Sequence, residues 1–325
     1  MDIECPICET APQQLISNIS DDRYAYPGKY SIYQCPSCRH CFTMPKFETE
    51  KISDLYRDFY GRNKVSSMSI KIQSMENIRK GDSRYLKRNF QNEIAYLSLK
   101  NQSKLKLLDF GSGDCLDLSE LDNLNFDVWG YDTDPNSQKI ALDLGYKIIT
   151  SADELKNFSN FFDYIQLNQV VEHFINPESD LNEITSMLKI DGVLHIETPN
   201  AESIYRKTFK KKWINWHVPY HQHHFSISSI ENVISKGGYK ILRIETKTPY
   251  QWTLTQVAVI IHQIFPVGVF STWSDKTPKT PNKRKEIIKK GIILKLLKFL
   301  LDLFNYIIDK SRYGDSIVIS ARRMQ

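Results

Sequence analysis

The sequence predicts an α/β protein, a doubly wound and mostly parallel sheet with helices on both faces, behind a small cysteine-built module and with a late apolar, basic insertion. Three observations predict it. From residue 104 onward, short apolar runs alternate with polar, helix-like stretches. Two Cys-x-x-Cys pairs stand before residue 40, and residues 249–313 break the alternation with apolar runs rich in lysine. The 325 residues, 41% hydrophobic and 25% charged, give room for one large domain or two modest ones. A net charge of +5 is mild, but most of it sits in the C-terminal quarter, and such local charge calls for a local anionic partner.

The first element is the pair Cys5-Pro-Ile-Cys8 and Cys35-Pro-Ser-Cys38. Two such knuckles supply four thiolates, the set that closes tetrahedrally around zinc in a structural site. Free thiols or disulfides are the alternative, although a reducing compartment disfavours disulfides. Cys5, Cys8, Cys35 and Cys38 are therefore the expected ligands of a structural Zn²⁺, with His40 and Cys41 close by. So small a unit buries little core, and metal binding supplies its folding energy. The opening residues "MDIECPICET" show no basic stretch followed by an apolar one, and no run of 18 uncharged apolar residues occurs. A cytoplasmic protein is expected.

The body follows. Strand-like runs lie at 105–110, 127–132, 147–150, 162–168, 192–198 and 239–246, with helical patterns at 178–188 and 228–236. In such sheets ligands bind beyond the carboxyl ends of the strands. The first run ends "LLDFGSGDCLDL": Asp109 closes the strand, and Gly111 and Gly113 let backbone N–H groups approach a ligand. Asp132 closes the second run, where a carboxylate can accept from ribose hydroxyls. A pyrophosphate-binding turn would carry a third glycine, but here Asp114 and Cys115 follow, and a further carboxylate repels phosphate. A cofactor without phosphates fits better.

These residues resemble the class I S-adenosylmethionine (SAM)-dependent methyltransferases, of the broad type 11 and type 23 kinds. "LLDFGSGD", "VWGYDTDP", "FDYIQLNQVVEHFINPES" and "LKIDGVLHIETPN" are similar to four of that family's motifs, in order. The resemblance implies a Rossmann-like, seven-stranded sheet whose last strand, "GDSIVISAR" at 314–322, is antiparallel. It also implies SAM as cofactor, held by Asp109, Gly111, Gly113, Asp132 and Asn168. Two departures stand out. Cys115 replaces the third glycine and is expected to narrow the loop, and the acid that meets the adenine amino group is Ser151 by strict alignment, with Asp153 two residues on. The expected organisation is a zinc ribbon at 1–46, a helical connector at 47–103, a SAM-binding core at 104–248, a helical insertion at 249–313 and the last strand at 314–325.

"WINWHVPYHQHHFS", 213–226, gathers His217, His221, His223 and His224. Histidine suits proton exchange near neutral pH, and His221 and His223 are the candidate general bases. A lid whose histidines make fixed hydrogen bonds is the plainer reading. The segment resembles the "P-x-H-x-x-H-F-S" stretch of methyltransferases found with bacterial surface-polysaccharide genes. It is also similar to the "Y-H-E-H" stretch of zinc-ribbon sugar C-methyltransferases, with Gln222 in place of the glutamate.

In the insertion, Lys295, Lys298, Asp302, Asn305 and Asp309 repeat at helical spacing as one polar stripe. The segment can pack on the body, lie on an anionic membrane surface through 285–310, or join two subunits. Lys276 to Arg312 holds eleven Lys/Arg against three Asp/Glu, which favours a membrane surface. The leading reading is a SAM-dependent methyltransferase acting on the oxygen or carbon of a sugar or glycan precursor, nucleotide-linked or lipid-linked, in the cytoplasm or on the inner membrane face. An RNA methyltransferase is disfavoured because "NQVVEH" lacks the turn that clamps a flipped base. A non-catalytic SAM- and zinc-binding scaffold docked at a membrane is the third reading.

Overall fold

The computed structural model describes residues 3–47, 55, 67–100, 103–124, 126–264 and 298–324. Residues 265–297 of the expected insertion, Lys295 among them, and most of the connector before residue 67 lie outside them. Eleven strands occur in order: β1 (Gln13–Ile19), β2 (Tyr30–Gln34), β3 (Cys41–Met44), β4 (Lys106–Phe110), β5 (Asp127–Tyr131), β6 (Lys147–Ile149), β7 (Phe162–Asn168), β8 (Leu188–Pro199), β9 (His223–His224), β10 (Tyr239–Lys247) and β11 (Ser316–Arg323). Seven of them form one sheet in the order β10-β11-β8-β7-β4-β5-β6. The pairs β4–β5, β4–β7, β5–β6 and β7–β8 are parallel, and the sheet has one antiparallel end, flanked by helices. This is the Rossmann-like sheet expected from the motifs.

The chain divides into two compact units. One is drawn from Glu48–Thr198, Ile230–Ile244 and Ile319–Gln325. Its core gathers Leu107, Leu118, Leu121, Val128 and Tyr164 with Ile70, Tyr85, Phe90 and Leu97. The last four come from the connector, which folds as the helices Ser67–Lys80 and Arg88–Lys100 around a short turn at Arg84–Leu86. Two further helices, Leu116–Asn123 and Pro135–Leu144, went unread in the sequence pattern. Asp134 and Pro135 open the second and Gly145 closes it with φ +81°, which is the ordinary start and stop chemistry of a helix.

The other unit comprises Met1–Phe47, Pro199–Ser229 and Glu245–Val318. Its antiparallel sheet runs β1-β2-β3-β9, so the histidine segment supplies the fourth strand of the ribbon: Cys41 pairs with His224 and Phe42 with His223. The helix Tyr250–Ile264 and the helical residues 298–310 belong here as well. Of the polar stripe in 298–310, Asn305 and Asp309 turn inward, while Lys298 and Asp302 are exposed. Asn305 is buried and accepts from the Tyr205 hydroxyl at 2.8 Å, while Asp309 accepts from the N–H and hydroxyl of Thr248 at 3.0 and 2.7 Å. Among the described residues no helix is long and apolar enough to cross a membrane.

One glycine fixes how tightly the cofactor loop sits on the sheet. A Cβ on Gly130 would stand 2.9 Å from the ends of both Leu118 and Ile148 and 3.0 Å from the Ser112 hydroxyl. Gly130→Ala should therefore overpack this layer and cost about 1–3 kcal/mol in urea unfolding. Unchanged stability would show that the layer relaxes freely.

Candidate active site

The site is built where three neighbouring strands end. Parallel register sets Gln166 of β7, Asp109 of β4 and Gly130 of β5 side by side. From that register Gln166 donates to Asp109 at 2.8 Å, and the Tyr85 hydroxyl donates to the Gln166 side-chain oxygen Oε1 at 2.9 Å. Two residues on, Asn168 shares the face of Gln166 and donates to Asp117 at 2.8 Å. The loop after β4 is tied to β5, because the N–H groups of Gly111 and Ser112 both donate to the Tyr131 carbonyl. Asp132 then pins it. One carboxylate oxygen accepts from the Gly113 N–H and the other from the Asp134 N–H, each at 2.9 Å.

A cavity of about 250 Å³ opens above this loop. Asp109, Gly111, Gly113 and Asn168 line it, as expected, together with Ser112, Asp114, Leu116, Asp117 and Arg84. Gly111 has φ +83°, and a Cβ there would stand 2.6 Å from Val170, so only glycine leaves this wall open. Asp132 lies just behind the lining, through Gly113. Asp153 is exposed in the short helix Ala152–Leu155, pairs with Lys156 at 2.7 Å and does not line the cavity. Cys115 is fully buried with φ +63° and its sulfur turned into the core, so the expected narrowing of the loop does not occur.

Arg84 and Asp117 were not singled out in the sequence. Arg84 sits in a three-residue turn inside the connector, where no period marks it. Its turn is held because Ser83 donates to Glu120 at 2.6 Å and Asn77 donates to the same carboxylate at 2.7 Å. The guanidinium lies 3.8 Å from Asp117 and 3.5 Å from Glu197. Burial, and next the charge of Asp117, push the Asp109 carboxyl up to about 8. Three acids and one guanidinium thus line the cavity, with Asp109 keeping its proton below about 8 until a bound cation displaces it, so the site favours a cation. A phosphate charge about 4 Å from the Asp114 or Asp117 carboxylate would cost on the order of 4 kcal/mol at an effective dielectric constant near 20.

In the other unit, the four cysteines of the two knuckles come together, with ligand atoms all within 4.8 Å of one another. Cys5 and Cys38 lie 3.6 Å apart, Cys8 and Cys35 3.4 Å. Tetrahedral zinc with Zn–S bonds near 2.3 Å needs sulfurs roughly 3.8 Å apart, so the set fits after a small expansion. The knuckles repeat one backbone plan. Glu9 and Arg39, each four residues after the first cysteine, donate their N–H to its carbonyl and both have φ +61°. Cys41 is buried and stands outside the cluster.

The candidate bases are also placed by this unit. His221 Nδ1 lies 2.8 Å from the Asn215 carbonyl and its Nε2 3.4 Å from His217 Nδ1. His223 Nδ1 lies 3.0 Å from Nε2 of His40. Burial, and then the neighbouring His223 and His224, hold His40 well below the usual imidazole range. Gln222 has its own task, since its amide donates to the Pro219 carbonyl and accepts from the Phe47 N–H at 3.1 Å. A glutamate could not make the first of these bonds.

A family described as "Methyltransferase domain" matches residues 83–244. Among curated proteins none matches. Solved structures with a similar fold include a SAM-dependent methyltransferase from Archaeoglobus fulgidus, 16% identical with a TM-score of 0.44 over 85% of this chain and 100% of that one. A putative sarcosine dimethylglycine methyltransferase from Galdieria sulphuraria is 14% identical, with a TM-score of 0.45 over 72% of this chain and 83% of the other. A phosphoethanolamine N-methyltransferase from Haemonchus contortus is 19% identical, with a TM-score of 0.44 over 73% of this chain and 53% of its own. The motif-bearing loop and its acidic cavity fall within residues 83–244, the stretch that the family match identifies as a methyltransferase domain.

Proposed function

We propose that this methyltransferase acts on an oxygen or carbon of a sugar or glycan precursor, nucleotide-linked or lipid-linked, and that its N-terminal ribbon holds a structural zinc. The observation that carries the sugar reading is the pairing of β3 with β9. Cysteine ribbon and histidine segment are thereby one sheet, and the zinc-ribbon sugar methyltransferases that the sequence resembles carry the same two parts. Bound SAM supplies a methyl group already activated on a sulfonium. The chain has to hold donor and acceptor in line and exclude water.

Each cavity residue has a task in that work. Gly111 and Gly113 let the backbone close on the methionine portion, Arg84 takes its carboxylate, and Asp109 and Asp117 face its positive charges. Asp132 takes the ribose hydroxyls, and Asn168 stands beside the cofactor at the end of β7. Asp153 reaches the adenine amino group by opening its exposed ion pair with Lys156, which costs little. His221 and His223 are the proposed bases, since a hydroxyl or acidic carbon must lose a proton.

Transfer of labelled methyl from SAM to a nucleotide-sugar panel, with total RNA in parallel, tests the substrate class. Label in sugar, reduced at least about tenfold by His221→Ala or His223→Ala, is expected; label in RNA alone would reverse the reading. A second expectation concerns pH. Below about 8 the empty site keeps a proton on Asp109, and a bound cation drives it off. SAM affinity should therefore fall as pH drops below 8, by at most about tenfold per unit, and Asp109→Asn should flatten that slope. Comparing the two proteins cancels the titration of the ligand's own amino group, and equal slopes would remove Asp109 from the site. For the ribbon, the protein as purified should contain one zinc per chain. Chelation or Cys8→Ser should lower the melting temperature more than Cys41→Ser, which lies outside the cluster. Equal effects would argue against a metal.

A further inference from the structure

In the helical residues 298–310, Asn305 and Asp309 turn inward, while Lys298, Asp302 and an apolar face are exposed. Phe299, Leu300, Leu303, Phe304, Tyr306 and Ile307 are 47–63% exposed. At 100° per residue these six fall on one continuous arc opposite Asn305, and the one charged side chain within it is Lys310, at its C-terminal end. The rotation is not accidental. Asn305 accepts from Tyr205 at 2.8 Å and donates to Thr253 at 3.1 Å, and Thr246 donates to the Asp309 carbonyl at 2.8 Å. Half a turn of the helix would bury the apolar arc but break all of these bonds, so they lock the apolar face outward.

We propose that this face lies in the interfacial layer of an anionic lipid bilayer. Charge complementarity selects the occupant. Lys276 to Arg312 carries eleven Lys/Arg against three Asp/Glu, and one of the three, Asp309, is spent on Thr248 inside the unit. A second copy seated on the same face would bring like charges such as Lys310 of both copies together, whereas anionic headgroups neutralise them. The arc is also bounded as an interfacial helix should be. Lys298 precedes it on the far side of the helix, over the Tyr250 ring at 5.3 Å, and Lys310 closes it over the Tyr306 ring at 5.6 Å, so the Lys310 ammonium group can reach headgroups while the aromatic and aliphatic side chains enter the acyl boundary. With no described helix able to span a bilayer, the contact is one of lying on the surface. It holds whichever acceptor the enzyme methylates.

Co-sedimentation of the full chain with vesicles of phosphatidylcholine, alone or mixed with phosphatidylglycerol, is the test. Binding to the mixed vesicles only, weakened by added salt and reduced at least about tenfold by Leu303→Glu and by Ile307→Glu, is expected. Both positions are exposed, so folding should persist, and thermal melting checks it. Leu142→Glu, an equally exposed leucine in the helix Pro135–Leu144, should leave binding intact. Failure of the folded wild-type protein to bind mixed vesicles would overturn the proposal. So would light scattering that shows a dimer which Leu303→Glu dissociates without any vesicle binding, for the face would then belong to a second copy.

Discussion

Asp109, Asp114 and Asp117 face one cavity at the carboxyl ends of the parallel strands, with Arg84 as the basic side chain in its lining. Most of the site follows from keeping these acids together. Asp109 is bearable because Gln166 lies beside it in register and donates to it, and Gln166 is itself held by Tyr85. Asp117 is shared between Asn168 and Arg84. Asp132 spends both carboxylate oxygens on backbone N–H groups and so fixes the loop that roofs the sheet. An acidic site of this kind repels pyrophosphate and welcomes a sulfonium and an ammonium, which is how one glycine-loop architecture can serve different cofactors.

The other unit follows a different rule, in which buried polar groups dictate orientation. His40 and His223 share one hydrogen bond, so one nitrogen of the pair carries a proton and the other must lack it. The Thr43 hydroxyl donates to the His221 carbonyl at 2.7 Å and lies 3.2 Å from the His224 ring. The serines at 226 and 228 both donate to the Cys38 carbonyl at 2.8 Å. Cysteine knuckles and histidine segment are thus stitched into one sheet by side chains far apart in sequence. The same logic turns Asn305 and Asp309 inward and leaves six large apolar side chains outside.

Much of this was legible in the sequence because it is local. Strand β4, its glycines and Asp132 follow from an apolar run, a turn and a spacing, and the four cysteines follow from two identical knuckles. What escaped depends on register or tertiary contact. Gln166 matters because β7 lies beside β4, and Arg84 because the connector folds back over the strand ends. Cys115 looked like a blocked glycine, yet its backbone takes the left-handed conformation the glycine would have had, with the side chain in the core. The polar stripe at 298–310 was visible as a period, but not its direction. Amphipathic reasoning points polar residues to water, as Lys298 and Asp302 do, but Tyr205, Thr248 and Thr253 turn Asn305 and Asp309 inward.

Paired calorimetric titrations of the full chain with SAM and with NAD, at one pH and ionic strength, test the cavity's chemistry most directly. Saturable binding of SAM with no measurable binding of NAD is the result expected of three acids around one guanidinium. Binding of NAD in competition with SAM, or binding of neither to folded protein, would contradict an acidic loop built for a cationic cofactor.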